Sequence, residues 1–139
     1  MKRFHIIFGL IVVVVFLLTG QYMDRYHQHL MYMADGPRML YRTRHIFILM
    51  SGLLHLGIGS YFKYRLQTWR RVLQILGSLL ITIAPVLFTV AFFREPNMQH
   101  LETPLSLVGM ILIAVGALLH LVSGIKEDRS RSSGQEQEA

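Results

Sequence analysis

Residues 4–20 read FHIIFGLIVVVVFLLTG, and this apolar run decides the class of fold. A helix needs about 20 mainly apolar residues to cross a bilayer, and the run comes close to that length. Three more such runs follow, over residues 45–62, 72–93 and 104–125. Because a backbone in lipid must satisfy its own hydrogen bonds, each run is predicted to be an α-helix. We therefore expect an all-α fold, a polytopic bundle of four transmembrane helices that forms one domain over residues 1–125.

The composition supports a membrane protein and excludes several kinds of site. Hydrophobic residues make up 53% of the 139 residues and charged residues only 16%, whereas soluble domains carry about 25% charged residues. The absence of Cys excludes disulfides, thiolate zinc sites, iron–sulfur clusters and cysteine nucleophiles. The sequence contains no Gly-rich phosphate loop, HExxH or GxSxG motif. We expect an electron-transfer or accessory protein rather than a hydrolase or transferase.

The positive charges are placed as membrane topology requires. The net charge is +6, but the Lys and Arg residues flank the apolar runs, so we expect a lipid bilayer rather than nucleic acid as the partner. With the N-terminus inside, nine of them lie in inner segments and five in outer loops. This bias predicts cytoplasmic N- and C-termini. Compact loops and the lack of an organelle targeting signal favour a bacterial inner membrane. The polar tail, residues 126–139, is predicted to be disordered.

The longest connection, residues 21–44, combines two local patterns. Its apolar and aromatic residues recur at helical spacing, which predicts that part of it extends helix 1 or lies on the membrane surface. Asp35-Gly36-Pro37 follows, and this sequence is expected to break any helix.

Two histidines lie well inside the predicted spans, where ionisable side chains indicate function by default. His55 lies eight residues before Lys63, about 12 Å along a helix, and His120 lies six residues before Lys126, about 9 Å. The two imidazoles are thus predicted at nearly the same depth, in the cytoplasmic half of the bundle. Glycines accompany them in this layer on all four helices: Gly52, Gly59, Gly116, Gly124, Gly9 and Gly77. His5 lies near the inner surface and is expected to be a solvated flank.

A non-covalent b-type haem would use this arrangement, with His55 and His120 as axial ligands and the glycines giving clearance for the ring. The layout resembles, by analogy alone, that of four-helix membrane cytochromes b. That likeness implies electron transfer, with a quinone or another redox protein as the partner. Covalent c-type attachment would need cysteines, which the chain lacks.

A cofactor-free alternative explains the same residues by packing. Small residues let transmembrane helices approach closely, and a buried His often bonds a polar group across such an interface. Helix 4 carries a seam of this kind at Ser106, Gly109, Gly116, His120 and Gly124. In this interpretation the seam faces another chain, and the protein is a structural or accessory homo-oligomer or complex subunit.

The outer side carries a second group of candidate ligands. His45 with His100 could hold a second haem, with Arg42 and Arg44 placed to pair its propionates. Imidazole and thioether groups together suit Cu(I), so copper is a further alternative. Its ligands would be His27, His29, Met31, Met33 and Met98. All of these residue types also occur as ordinary interface residues.

Overall fold

The computed structural model describes residues 1–62, 67–97 and 102–135, except the side chains of residue 29 and residues 125–135. The described chain is all-helical and contains four α-helices, as predicted. They are α1 (Lys2–His27), α2 (Asp35–Tyr61), α3 (Thr68–Arg94) and α4 (Pro104–Gln135). A 3₁₀ turn follows α1 at Gln28–Leu30, and another follows α3 at Glu95–Asn97.

The helices are longer than the apolar runs that predicted them. α1 continues past residue 20 to His27, so it takes up the start of the long connection. The expectation that Asp35-Gly36-Pro37 breaks any helix is wrong, because these residues form the first turn of α2. Proline is tolerated there because first-turn N–H groups have no acceptor within the helix. α4 runs to Gln135, beyond residue 125.

Two tight helix pairs build the fold. α1 packs most extensively on α2 and α3 on α4, and α2 against α3 joins the pairs. Glycines allow the close approach within each pair. A Cβ atom on Gly9 would lie 3.0 Å from the Gly52 carbonyl oxygen, and one on Gly77 would lie 2.8 Å from the Gly116 carbonyl oxygen. Small residues at helix crossings are typical of membrane bundles, where van der Waals contact drives association.

The outer face of the helices is apolar. By length and composition, three helices of the described chain could cross a membrane, over Lys2–His27, Thr68–Asn97 and Pro104–Gly124. α2 differs because four of its first ten residues, 35–44, are charged. The core is rich in aromatic side chains, among them Tyr41, Phe88 and Phe92.

Candidate functional site

A chain of hydrogen-bonded polar side chains takes one member from each helix. His5 of α1 lies with its Nδ1 atom 2.8 Å from Nδ1 of His55 on α2. Its other nitrogen, Nε2, lies 3.0 Å from Oγ of Ser78 on α3. Ser78 Oγ in turn lies 3.1 Å from Nε2 of His120 on α4. We call these four residues the imidazole chain.

A proline determines how one end of the imidazole chain is bonded. Pro85 lies inside α3, and it has no N–H to donate to the carbonyl four residues earlier. That carbonyl belongs to Ile81, and His55 Nε2 lies 3.3 Å from its oxygen. A carbonyl oxygen can only accept, so His55 Nε2 must carry the hydrogen. The imidazole thus satisfies the acceptor that Pro85 leaves open.

This one bond assigns the hydrogen positions along the whole imidazole chain when its rings are neutral. A neutral imidazole carries hydrogen on one nitrogen only, so His55 Nδ1 accepts from His5 Nδ1–H. His5 Nε2 is then an acceptor, and the Ser78 hydroxyl donates to it. The Ser78 oxygen accepts from His120 Nε2–H. Every bond therefore points in the same direction, from His120 towards Ile81.

The expectation that His5 is a solvated flank is wrong, because its side chain is 0% exposed. Its distance from the basic N-terminus gave its depth but not its orientation around the helix. His5, Gly9 and Val12 are buried on one side of α1, at spacings of four and three residues that place them on the face towards α2. That spacing was the sequence signal for His5. Ser78 was not predicted as a link either. Its sequence signal is the polar pair Gln74 and Ser78, which are one turn apart on α3 and both buried.

The glycines around the histidines face neighbouring helices rather than an open slot. Beyond the two carbonyl contacts already described, added Cβ atoms would lie 3.2 Å from Val12 at Gly52 and 2.7 Å from Ile6 at Gly59. Gly124 is half-buried on α4. A porphyrin between His55 and His120 would also have to displace His5 and Ser78 from the bonds they make. In this arrangement the described residues do not fit a haem.

The residues predicted to hold a second haem on the outer side differ in their surroundings. Arg44 Nε donates to Glu95 Oε2 over 2.7 Å, and the Glu95 side chain is fully buried. Ser106 donates to the same carboxylate from its backbone N, 2.9 Å, and from its Oγ, 2.6 Å. Arg44 is therefore paired with protein, whereas Arg42 lies on the surface beside a cavity of about 400 Å³. His100 lies outside the described residues.

His45 keeps one nitrogen for further bonding. Thr19 Oγ1 donates to the Phe16 carbonyl, so it accepts from His45 Nδ1, 2.9 Å away. The neutral imidazole therefore has no hydrogen on Nε2, which remains an acceptor or ligand atom. Phe16 stacks on the ring with centroids 4.0 Å apart. This bonding is compatible with ligation of a second haem, but the paired state of Arg44 removes one of its expected propionate partners.

The copper candidates are brought together only in part. His27 and Met33 line the same surface cavity of about 460 Å³, together with Tyr26, Gln28 and Tyr32. Met31 is exposed, the side chain of His29 is not described, and Met98 lies outside the described residues. Within the described part, no three or more His, Cys, Asp or Glu residues are grouped to hold a metal ion. In comparisons with known proteins, no family model, curated protein or solved structure matches this chain.

Proposed function

We propose that the chain is a cofactor-free accessory or structural protein of the bacterial inner membrane, with four spans and cytoplasmic termini. The observation that carries this proposal is that the members of the imidazole chain are hydrogen-bonded to one another and to the Ile81 carbonyl. Each of its links is a contact between protein atoms 2.8–3.3 Å apart. In a membrane such bonds contribute about 0.6–2 kcal/mol each to helix association. The proposed task of the histidines is to join the four helices.

The four-span arrangement is supported by the surface of α2. Its exposed side carries Ile46, Met50 and Leu53 at spacings of four and three residues, which is the pattern of a lipid-facing stripe. Arg44, the charged residue directly before this predicted span, is buried against Glu95. Pairing with Glu95 lowers the free-energy cost of placing the Arg44 charge beside the membrane-spanning part of α2.

The proposed partner is a lipid bilayer and either a second copy of the chain or another membrane subunit. The seam on α4 that suggested an interface packs instead within the chain. A Cβ on Gly109 would lie 2.6 Å from Phe88, and one on Gly116 would lie 2.6 Å from Ile81, both residues of α3. A partner chain would therefore contact one of the outward, apolar faces of the bundle.

An absorption spectrum of the purified protein tests the cofactor-free proposal. The protein is expected to show no Soret band, either as isolated or after reduction with dithionite, and to remain so after incubation with haem. A band that shifts on reduction and disappears in both His55→Ala and His120→Ala would contradict it. His27→Ala is the control, because His27 lies outside the imidazole chain and is not a candidate ligand of either haem.

Haem b is a second candidate, and one observation favours it. Three helices bring His5, His55 and His120 to one site inside the predicted membrane region, and intramembrane imidazoles are common haem ligands. A haem there would support electron transfer with quinone or another redox partner, and binding it would require α1 and α4 to separate. The same spectrum distinguishes this candidate.

Outer-face copper binding is the weaker alternative. It is supported by the shared cavity of His27 and Met33, because imidazole and thioether groups suit Cu(I). Metal analysis after Cu(I) loading tests it, and the double variant His27→Ala, Met33→Ala is expected to abolish any bound copper.

A further inference from the structure

We propose that the imidazole chain is a reversible proton-binding site, which takes up one proton at His120 and stores it on His55. This inference goes beyond the proposed function but relies on its cofactor-free state, because the imidazole nitrogens must be free of metal. It rests on three observations: the single direction of the bonds, the unequal exposure of the members, and the closed end at Ile81.

The exposure of the members indicates which of them reaches the surface of the bundle. His5 and His55 are 0% exposed and Ser78 is 1% exposed, whereas His120 is only half-buried. His120 uses Nε2 towards Ser78, which leaves Nδ1 as the atom that can receive a proton. Among the described side chains, the buried nitrogens without a hydrogen-bond partner are His27 Nε2 and Arg70 Nε. His120 Nδ1 is not one of these two nitrogens. It is therefore either accessible at the surface of the bundle or hydrogen-bonded.

The direction of the bonds allows the proton to move without rotation of any ring. A proton binds His120 Nδ1, and the His120 Nε2 hydrogen passes to the Ser78 oxygen. The Ser78 hydroxyl hydrogen passes to His5 Nε2, and the His5 Nδ1 hydrogen passes to His55 Nδ1. One proton has then been added, His55 carries hydrogen on both nitrogens, and His5 and His120 are again neutral. All three links between the side chains have reversed, and each is still a hydrogen bond.

The bond from His55 to Ile81 closes the far end. His55 Nε2–H donates to the Ile81 carbonyl, which cannot pass a hydrogen on. Proton release must therefore follow the same path back to His120, so the site stores a proton and does not conduct one across the membrane.

Among the described residues, the groups that face His5 come from α2, α3, α4 and the N-terminus. His55 of α2, His120 of α4 and the N-terminal amino group ahead of α1 all act electrostatically on His5. From α3 the facing groups are the Ser78 hydroxyl and the Ile81 carbonyl. Because these groups are neutral or cationic, the site accommodates one proton and opposes a second.

Nitrogen-15 NMR of histidine-labelled full-length protein in lipid nanodiscs tests the proposal. At a pH where the rings are neutral, hydrogen is expected on His5 Nδ1, His55 Nε2 and His120 Nε2. As the pH is lowered, one proton is expected to bind. His55 then becomes doubly protonated, His5 converts to Nε2–H and His120 converts to Nδ1–H.

Ser78→Ala removes the link and should separate the two ends. His120 is then expected to titrate alone, while His55 remains neutral. Ser51→Ala is the matched control, since Ser51 is also a buried serine but its hydroxyl donates to the Ile48 carbonyl of its own helix. It should titrate like the unmodified protein.

Three results would overturn the proposal. The first is that the neutral protein carries hydrogen on His120 Nδ1. The second is that His55 in Ser78→Ala still becomes protonated at the same pH as in the unmodified protein. The third is that the three rings take up two or more protons independently. Haem ligation is distinguishable from all three, because it gives a Soret band and ligand nitrogens that do not titrate.

Discussion

At the scale of single residues, the Glu95 carboxylate accepts three hydrogen bonds from two other helices. It accepts from Arg44 on α2 and twice from Ser106 in the first turn of α4. Ser106 lies at the N-terminus of its helix, where backbone N–H groups lack partners and a negative charge is favoured. One side chain directly after α3 thereby joins the starts of α2 and α4 to the end of α3.

Removing the cation of this pair should destabilise the fold strongly. Arg44→Met leaves the Glu95 carboxylate buried without its counter-charge, and such changes cost about 3–5 kcal/mol. Adding Glu95→Gln to Arg44→Met should restore most of the stability, because the neutral amide still accepts from Ser106. The measurement is SDS-induced unfolding followed by circular dichroism.

The exposed pair of Arg38 with Asp35 provides the control for that experiment. Both side chains are far more accessible than those of Arg44 and Glu95, so Asp35→Asn should leave the unfolding midpoint nearly unchanged. A loss of stability in the double variant equal to that in Arg44→Met would show that buried charge is not the cause.

At the scale of elements, the space around each glycine shows whether its helix face packs against another helix or faces outward. Gly116 is pressed against Ile81 and the Gly77 carbonyl, whereas a Cβ added at Gly57 would meet nothing within 4 Å. Both are helical glycines in apolar surroundings, so sequence alone could not distinguish them.

Gly116→Leu is expected to destabilise the α3–α4 pair, since overpacking a tight contact costs about 1–3 kcal/mol or more. Gly57→Leu should be tolerated. Unfolding experiments combined with the mass of the purified particle check this prediction. If Gly116→Leu instead keeps full stability and only changes the number of chains per particle, then the α4 seam faces another chain.

Pro85 gives a second prediction at this scale, because it leaves the Ile81 carbonyl available to His55. Pro85→Ala supplies a backbone N–H that competes for that carbonyl. The hydrogen bond from His55 Nε2 should weaken, which the nitrogen-15 shift of that atom reports. Pro37→Ala, in the first turn of α2, is the control and should leave the His55 shift unchanged.

At the scale of the whole molecule, the composition of the helices and the proposed function give different numbers of membrane crossings. Composition indicates three helices that could cross a membrane, while the proposed function includes α2 as a fourth. Four crossings would place both termini on the same side of the membrane, whereas three would place them on opposite sides.

Reporter fusions at each terminus decide between these counts. Both fusions are expected to be active only as cytoplasmic reporters, in agreement with the excess of Lys and Arg in inner segments. Termini on opposite sides of the membrane would support three crossings and leave α2 at the surface. A fusion after Asn97 is a second test, because from a cytoplasmic N-terminus four crossings place it on the outer side and three crossings place it in the cytoplasm.

The sequence alone predicted the four helices, which the structure confirms, and a common depth of His55 and His120 in the membrane, which stays a prediction. Hydropathy is a local property, and depth along a helix follows from its constant rise per residue. Only the tertiary structure decided which faces meet. His5 and Ser78 are 73 residues apart, and their contact depends on the rotation and crossing of whole helices. Those are settled by side-chain packing between distant segments, and they turned a pair of histidines at one depth into a bonded chain of four residues.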